Sequence, residues 1–205
     1  MSAIANDFEI LDQEVTELHV RWNLLNDLFA DEDAVNILNE CAPSAFDTIR
    51  TLLIDSIILG ISRIAADRTR QSLTLMKLKP KHDGTELGDS LTEILNSLQP
   101  LTDPLIKHRN ERIAHHNKGV ARRTAVLPQI TKECIDNALQ LIRDFMNEIS
   151  LSSDGAAICY ELPITVGDGT DILHALRYAQ RFDSLSERAW RGEAPETLVE
   201  ELKKH

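Results

Sequence analysis

The stretch that decides the fold is residues 44–67, SAFDTIRTLLIDSIILGISRIAAD. From Leu52 to Ile64 it is apolar nearly all round, broken by Asp55, Ser56, Ser62 and Arg63. A run of that length, bounded by Pro43 and a basic exit, is too long for a strand and reads as a helix with Ser44 as its cap, the most buried one of the chain. Arg63 and Asp67 stand four residues apart at its end, followed by Arg68 and Arg70. Cations there complement the C-terminal helix dipole, or alternatively face a polyanion.

Upstream, Ile4, Phe8, Leu11, Val15, Leu18, Trp22, Leu25 and Phe29 alternate steps of four and three, a helical seam. The seam either packs inside its own bundle or pairs with a second chain. A short helix is expected from Asp33 to Cys41, ended by Pro43. Downstream, residues 71–84 read as a linker with one turn at Leu73 to Leu78. A helix from Thr85 to Leu98 is expected to stop at Pro100. Another, capped by Thr102 or Asp103 with Pro104 in its first turn, carries PLIKHRNERIAHHNK. Pro128 is expected to open the last long helix, with Ile130, Cys134, Ile135, Ala138, Leu141, Ile142, Phe145 and Ile149 on one face. AICYELPITVGDG, residues 157–169, is the one expected extended segment. GDGTD at 167–171 reads as a turn and helix cap, Leu173 to Ala179 as a short helix, and TLVEELKKH as another. The fold class is therefore all-α: a bundle of about four or five main helices over residues 1–152, with a small mixed appendage over 153–205.

Composition supports this. Only 8 Gly and 7 Pro in 205 residues leave too few turn formers for an all-β chain. With 42% hydrophobic and 27% charged residues, the chain is neither disordered nor fibrous. Three widely spaced cysteines, Cys41, Cys134 and Cys159, form neither a disulfide framework nor a zinc set, and point to a reducing cytoplasm. No segment resembles a signal peptide or a membrane span.

The net charge of −11 argues against a duplex-wrapping protein. Its distribution is uneven. Residues 63–81 carry 6 basic and 1 acidic groups, and residues 107–123 again carry 6 and 1, inside an otherwise acidic chain. Two short cationic islands fit a small, focused polyanion site.

The second island packs two Arg, three His and two Asn into residues 108–117, HRNERIAHHN. On an ideal helix Arg109, Arg112 and His116 share a face, while His115 is turned about 120° from Arg109. Arg offers a permanent, bidentate phosphate grip, and His an acid or base near neutral pH. Those are the needs of metal-independent RNA cleavage, in which the ribose 2′-hydroxyl attacks the adjacent phosphate. No HExxH, no His pair at i,i+4, no two-metal carboxylate pattern and no Gly-rich phosphate loop occurs, so neither metal nor cofactor is expected.

RNERIAH, with Arg109, Asn110 and His115, resembles the signature of the HEPN superfamily: an Arg, often followed by a polar residue, then four to six intervening residues and a His. His116 also satisfies the spacing. Upstream, IDSIILGISRIAADRTR followed by SLTLMKL is similar to the second-helix signature of the abortive-infection HEPN branch. The resemblance implies a helical ribonuclease of toxin or phage-defence type, acting as a homodimer whose two motifs share one cleft. Arg109 and His115, or His116, would be catalytic, and Asn110 would orient the phosphate or the catalytic groups. Arg112, Arg63 and Asp67 would support or bind substrate. RNA is the implied substrate, and an antitoxin or other neutralising protein a further partner. HEPN domains also serve as non-catalytic nucleotide- or protein-binding modules, and that alternative stays open here.

Overall fold

The computed structural model describes residues 3–66, 72–113, 126–153, 155–193 and 200. All regular structure among them is helical: α1 (Ala3–Leu28), α2 (Glu32–Cys41), α3 (Pro43–Ala66), α4 (Leu75–Leu78), a 3-10 turn (Lys79–His82), α5 (Glu86–His108), a π-helical turn (Arg109–Ile113), α6 (Lys132–Ser153) and α7 (Gly169–Trp190). The all-α expectation is met. No described helix is long and apolar enough to cross a membrane.

The chain forms two compact units, residues 1–22 with 51–164, and residues 23–50 with 165–205. In the first unit, the seam of α1 is consumed internally. Leu11, Val15 and Leu18 are fully buried and Trp22 nearly so, and the Trp22 indole donates to Asp136 Oδ1 on α6 at 2.6 Å. The seam from Leu11 to Trp22 is therefore not available to a second chain, and the homodimer draws no support from it. α1 meets α3 where Leu18 lies over Gly60. A Cβ at residue 60 would stand 2.4 Å from Leu18 Cδ2, so the missing side chain is what lets the helices approach.

α3 is more one-sided than its composition implies. Ile57, Ile58, Ile61 and Ile64 are buried, at i, i+1, i+4 and i+7 on one face. Leu52 and Leu59 lie on the opposite face and are 63% and 38% exposed. An apolar run is a necessary condition for central burial, and here the bundle covers only one side of it.

The break expected at Pro100 does not occur. α5 runs through both Pro100 and Pro104. An interior proline costs about 3 kcal/mol, but Leu91, Leu98 and Leu105 are buried at seven-residue intervals, and α5 packs along α6. Each fully buried leucine contributes about 1.5–3 kcal/mol, which offsets the broken backbone bonds. The last long helix starts at Lys132 rather than Pro128, because Thr131 caps it: its Oγ1 accepts from Cys134 N at 3.1 Å.

Residues 156–168 contain no strand. The backbone groups of Ala156 and Ile158 find side chains instead. Ile158 N donates to Asn147 Oδ1 at 2.7 Å, Asn147 Nδ2 donates to Ile158 O at 3.0 Å, and Ser150 Oγ donates to Ala156 O at 2.8 Å. Tyr160, 1% exposed, donates to Asp12 Oδ1 at 2.5 Å and stacks on His19 with ring centroids 6.0 Å apart. Residues 156–160 are thus a strap tied to α6 and α1 by side-chain hydrogen bonds rather than by a ladder.

In the second unit, Leu28, Ala34, Ile37, Leu38 and Leu173 form a small core, joining the end of α1 to α2 and α7. Asp31 caps α2, accepting from Ala34 N at 2.8 Å. The GDGTD segment is a turn and cap as expected: Asp168 is the N-cap of α7 and forms a reciprocal capping box with Asp171. Gly169 abuts α1 so closely that a Cβ would sit 2.5 Å from Asp27 Cβ. The helix that follows runs 22 residues, far past the short one expected.

Candidate active site

The basic island begins where α5 ends. Its first residues do not continue the α-helix; Arg109–Ile113 form a π-helical turn. Such turns are rare and concentrate at functional sites, because the wider i→i+5 ring re-aims the side chains that follow. The 100° angular arithmetic therefore does not carry through this segment.

Three contacts fix the turn. His108, the last residue of α5, donates from Nε2 to Pro128 O at 2.6 Å, since a carbonyl can only accept. Its Nδ1 is buried and unpartnered among the described residues. Arg109 donates from Nε to Asn110 Oδ1 at 3.0 Å. Arg112 donates from Nη2 to Asp55 Oδ1 on α3, the side chains being 35% and 25% exposed. Arg112 Nε is buried without a partner among the described residues.

These contacts sort the sequence candidates. Arg109 and Asn110 come together, as neighbours in one turn, with Asn110 exposed. Among the described residues the only hydrogen bond of Arg109 uses Nε, so the terminal nitrogens still present a fork suited to a phosphate. Arg112 does not join that fork; it is committed to a carboxylate. Arg63 is placed elsewhere again, with Nη2 3.0 Å from Glu14 Oε2 on α1. Asp67, His115 and His116 lie outside the described residues. Residues 114–125, which contain both histidines, follow the π-turn directly.

Sequence reasoning missed Asp55 as a partner of the island, although the signal was present. A single carboxylate inside the most apolar helix must find a cation or remain at the surface. It also missed the cluster around His19. That imidazole is 5% exposed and its Nε2 is unpartnered among the described residues. Burial pushes its pKa down from 6.5 to about 4, with Glu161 opposing and Arg143 reinforcing the shift. The neighbouring Tyr160 hydroxyl is held above the usual phenol range, by burial first and by its bond to Asp12 second. Both groups stay neutral near pH 7, as structural groups would.

Chemically, the turn can grip one phosphate through Arg109 with Asn110 as an orienting amide. Proton transfer would require a further group, and among the described residues no titratable side chain is hydrogen-bonded to this pair.

Neither a curated protein nor a solved structure matches the chain. The HEPN_AbiU2 family, described as AbiU2, matches residues 1–162. The match takes in α1 to α6, the Asp55-bearing helix, the π-turn and both basic islands, and on this ground the chain belongs to the HEPN_AbiU2 family.

Proposed function

We propose that the chain is a metal-independent endoribonuclease of toxin or phage-defence type, acting in the cytoplasm as a homodimer. The observation that carries the reading is the Arg109–Asn110 pair, displayed by a π-helical turn inside a cationic island of a HEPN_AbiU2 chain. In this reading the 2′-hydroxyl of the substrate attacks the adjacent phosphorus. His115, with His116 as the alternative, transfers the proton. Arg109 offsets charge on the pentacoordinate species, and Asn110 orients the phosphate. The bond to the 5′-oxygen breaks, leaving a 2′,3′-cyclic phosphate and a 5′-hydroxyl; nothing is oxidised or reduced.

Arg112 acts in this account by fixing the turn through Asp55, and Arg63 and Asp67, which match the upstream signature, support substrate binding. The second copy supplies the facing motif. Exposed Leu52 and Leu59, seven residues apart on the helix that also bears Asp55, support an apolar surface for it. The nuclease role belongs to residues 1–152, with 153–205 attached to it. A neutralising protein would restrain the activity in its host.

The test is purified protein with single-stranded RNA in excess EDTA. Arg109→Ala and the double variant His115→Ala/His116→Ala should each lose at least about 10²-fold in rate while remaining folded, the usual size of a proton-transfer contribution. Undiminished cleavage in both would refute the assignment. A folded, inactive dimer that still binds RNA would instead favour the binding-module reading.

A further inference from the structure

α7 carries a second cluster suited to nucleic acid, and it lies beyond the family match. His174, Arg177, Tyr178 and Arg181 line a surface hollow of about 440 Å³. On a regular helix, His174, Tyr178, Arg181 and Phe182 fall within an arc of roughly 100°. Leu173 and Leu176 belong to the small core and so occupy the other side. Tyr178 and Phe182, one turn apart, are 56% and 65% exposed.

We propose that this hollow is a binding subsite for single-stranded RNA, in which an unpaired base stacks on Tyr178 and the adjoining phosphate is held by Arg181 and Arg177. The choice of ligand rests on the ribonuclease reading above. The chemistry of the hollow supports it independently. A free phosphate would need the cations alone, and an apolar partner would need the rings alone. An unpaired nucleotide presents a π-face and a phosphate side by side, and so uses both. Arg177 already pairs with Asp33 at 2.7 Å, but the two side chains are 45% and 74% exposed. A pair that open contributes little, and a phosphate can displace the carboxylate. A second hollow further along α7 makes the contrast. It is walled by Asp183 and Glu187 as well as Trp190 and Arg191, and its carboxylates would repel a phosphate chain. The subsite would add affinity for substrate RNA without touching the reacting atoms.

The experiment uses the full chain and a labelled 2′-O-methyl RNA oligonucleotide, which lacks the attacking hydroxyl, so binding is read by fluorescence anisotropy whether or not cleavage occurs. Tyr178→Ala should weaken binding about 5- to 100-fold, the range for one stacked base, whereas Tyr178→Phe should retain it. Arg181→Ala should reduce the salt dependence, log K against log salt, by about 0.7 for each phosphate it no longer neutralises. Unchanged affinity in both alanine variants, with circular dichroism matching the wild type, would overturn the proposal. So would equal affinity for a duplex of the same sequence, since paired bases cannot stack on Tyr178. Loss of binding in these variants with no cleavage by the wild type would refute the nuclease reading and leave the subsite standing.

Discussion

His19 makes the protein acid-labile by a calculable amount. The imidazole is 5% exposed and its pKa is lowered from 6.5 to about 4, chiefly by burial, against the attraction of Glu161 and with the repulsion of Arg143. In the unfolded chain it takes up a proton below pH 6.5; in the fold it does not until about pH 4. Between those values the unfolded state binds more protons, so stability falls as the pH falls, by up to about 1.4 kcal/mol per pH unit. The native advantage is complete above pH 6.5 and gone below the folded value. From pH 7.5 to 4.5 this single group removes about 2.5 kcal/mol, a large share of the roughly 5–15 kcal/mol that holds a typical domain. The perturbation is His19→Phe, which keeps a ring against Tyr160 and removes the titration. Urea unfolding followed by far-ultraviolet circular dichroism at both pH values gives the comparison, because carboxylates common to both proteins cancel in the difference. The wild type should lose about 2.5 kcal/mol more than the variant on acidification. An equal loss in the two proteins would refute the assignment of a buried neutral imidazole.

Two further outcomes follow from the packing. Gly60→Val should destabilise by about 1–3 kcal/mol through overpacking against Leu18, and adding Leu18→Ala should show a coupling that two independent sites would not; simple additivity in the denaturation midpoints would count against the close approach. Asp55→Ala should cost on the order of 1–2 kcal/mol, less than a fully buried pair because Arg112 and Asp55 keep 35% and 25% of their exposure. It should also speed amide exchange across residues 109–113, and unchanged exchange there would mean the ion pair does not hold the π-turn.

Much of this architecture is written in local chemistry. The four-and-three spacing along α1 is a geometric property of the helix itself, and the structure buries Leu11, Val15, Leu18 and Trp22 as that spacing requires. The Asp168 cap was readable because a capping box is made by residues three apart. Errors arose where tertiary contacts outweighed local preference. Pro100 and Pro104 break an isolated helix, yet burial along α6 carries α5 through both. Residues 156–160 have the composition of a strand, but Asn147 takes the backbone hydrogen bonds of Ile158 and Ser150 that of Ala156, and no pattern within the segment announces those partners. At the site, the Arg109–Asn110 neighbour pair was legible from adjacency alone. The Asp55–Arg112 pairing spans 57 residues of sequence, and the π-turn that re-aims the island departs from the ideal-helix angles used to read it.

The central claim is that the 2′-hydroxyl of RNA is the nucleophile, with no metal ion in the step. It is tested most directly by the ends of the products. Single-stranded RNA incubated with the protein in excess EDTA should yield fragments that carry 2′,3′-cyclic phosphate and 5′-hydroxyl termini by mass spectrometry, and RNA methylated at every 2′-oxygen should remain intact. Fragments ending in 5′-phosphate and 3′-hydroxyl, or cleavage that disappears on chelation, would contradict the account.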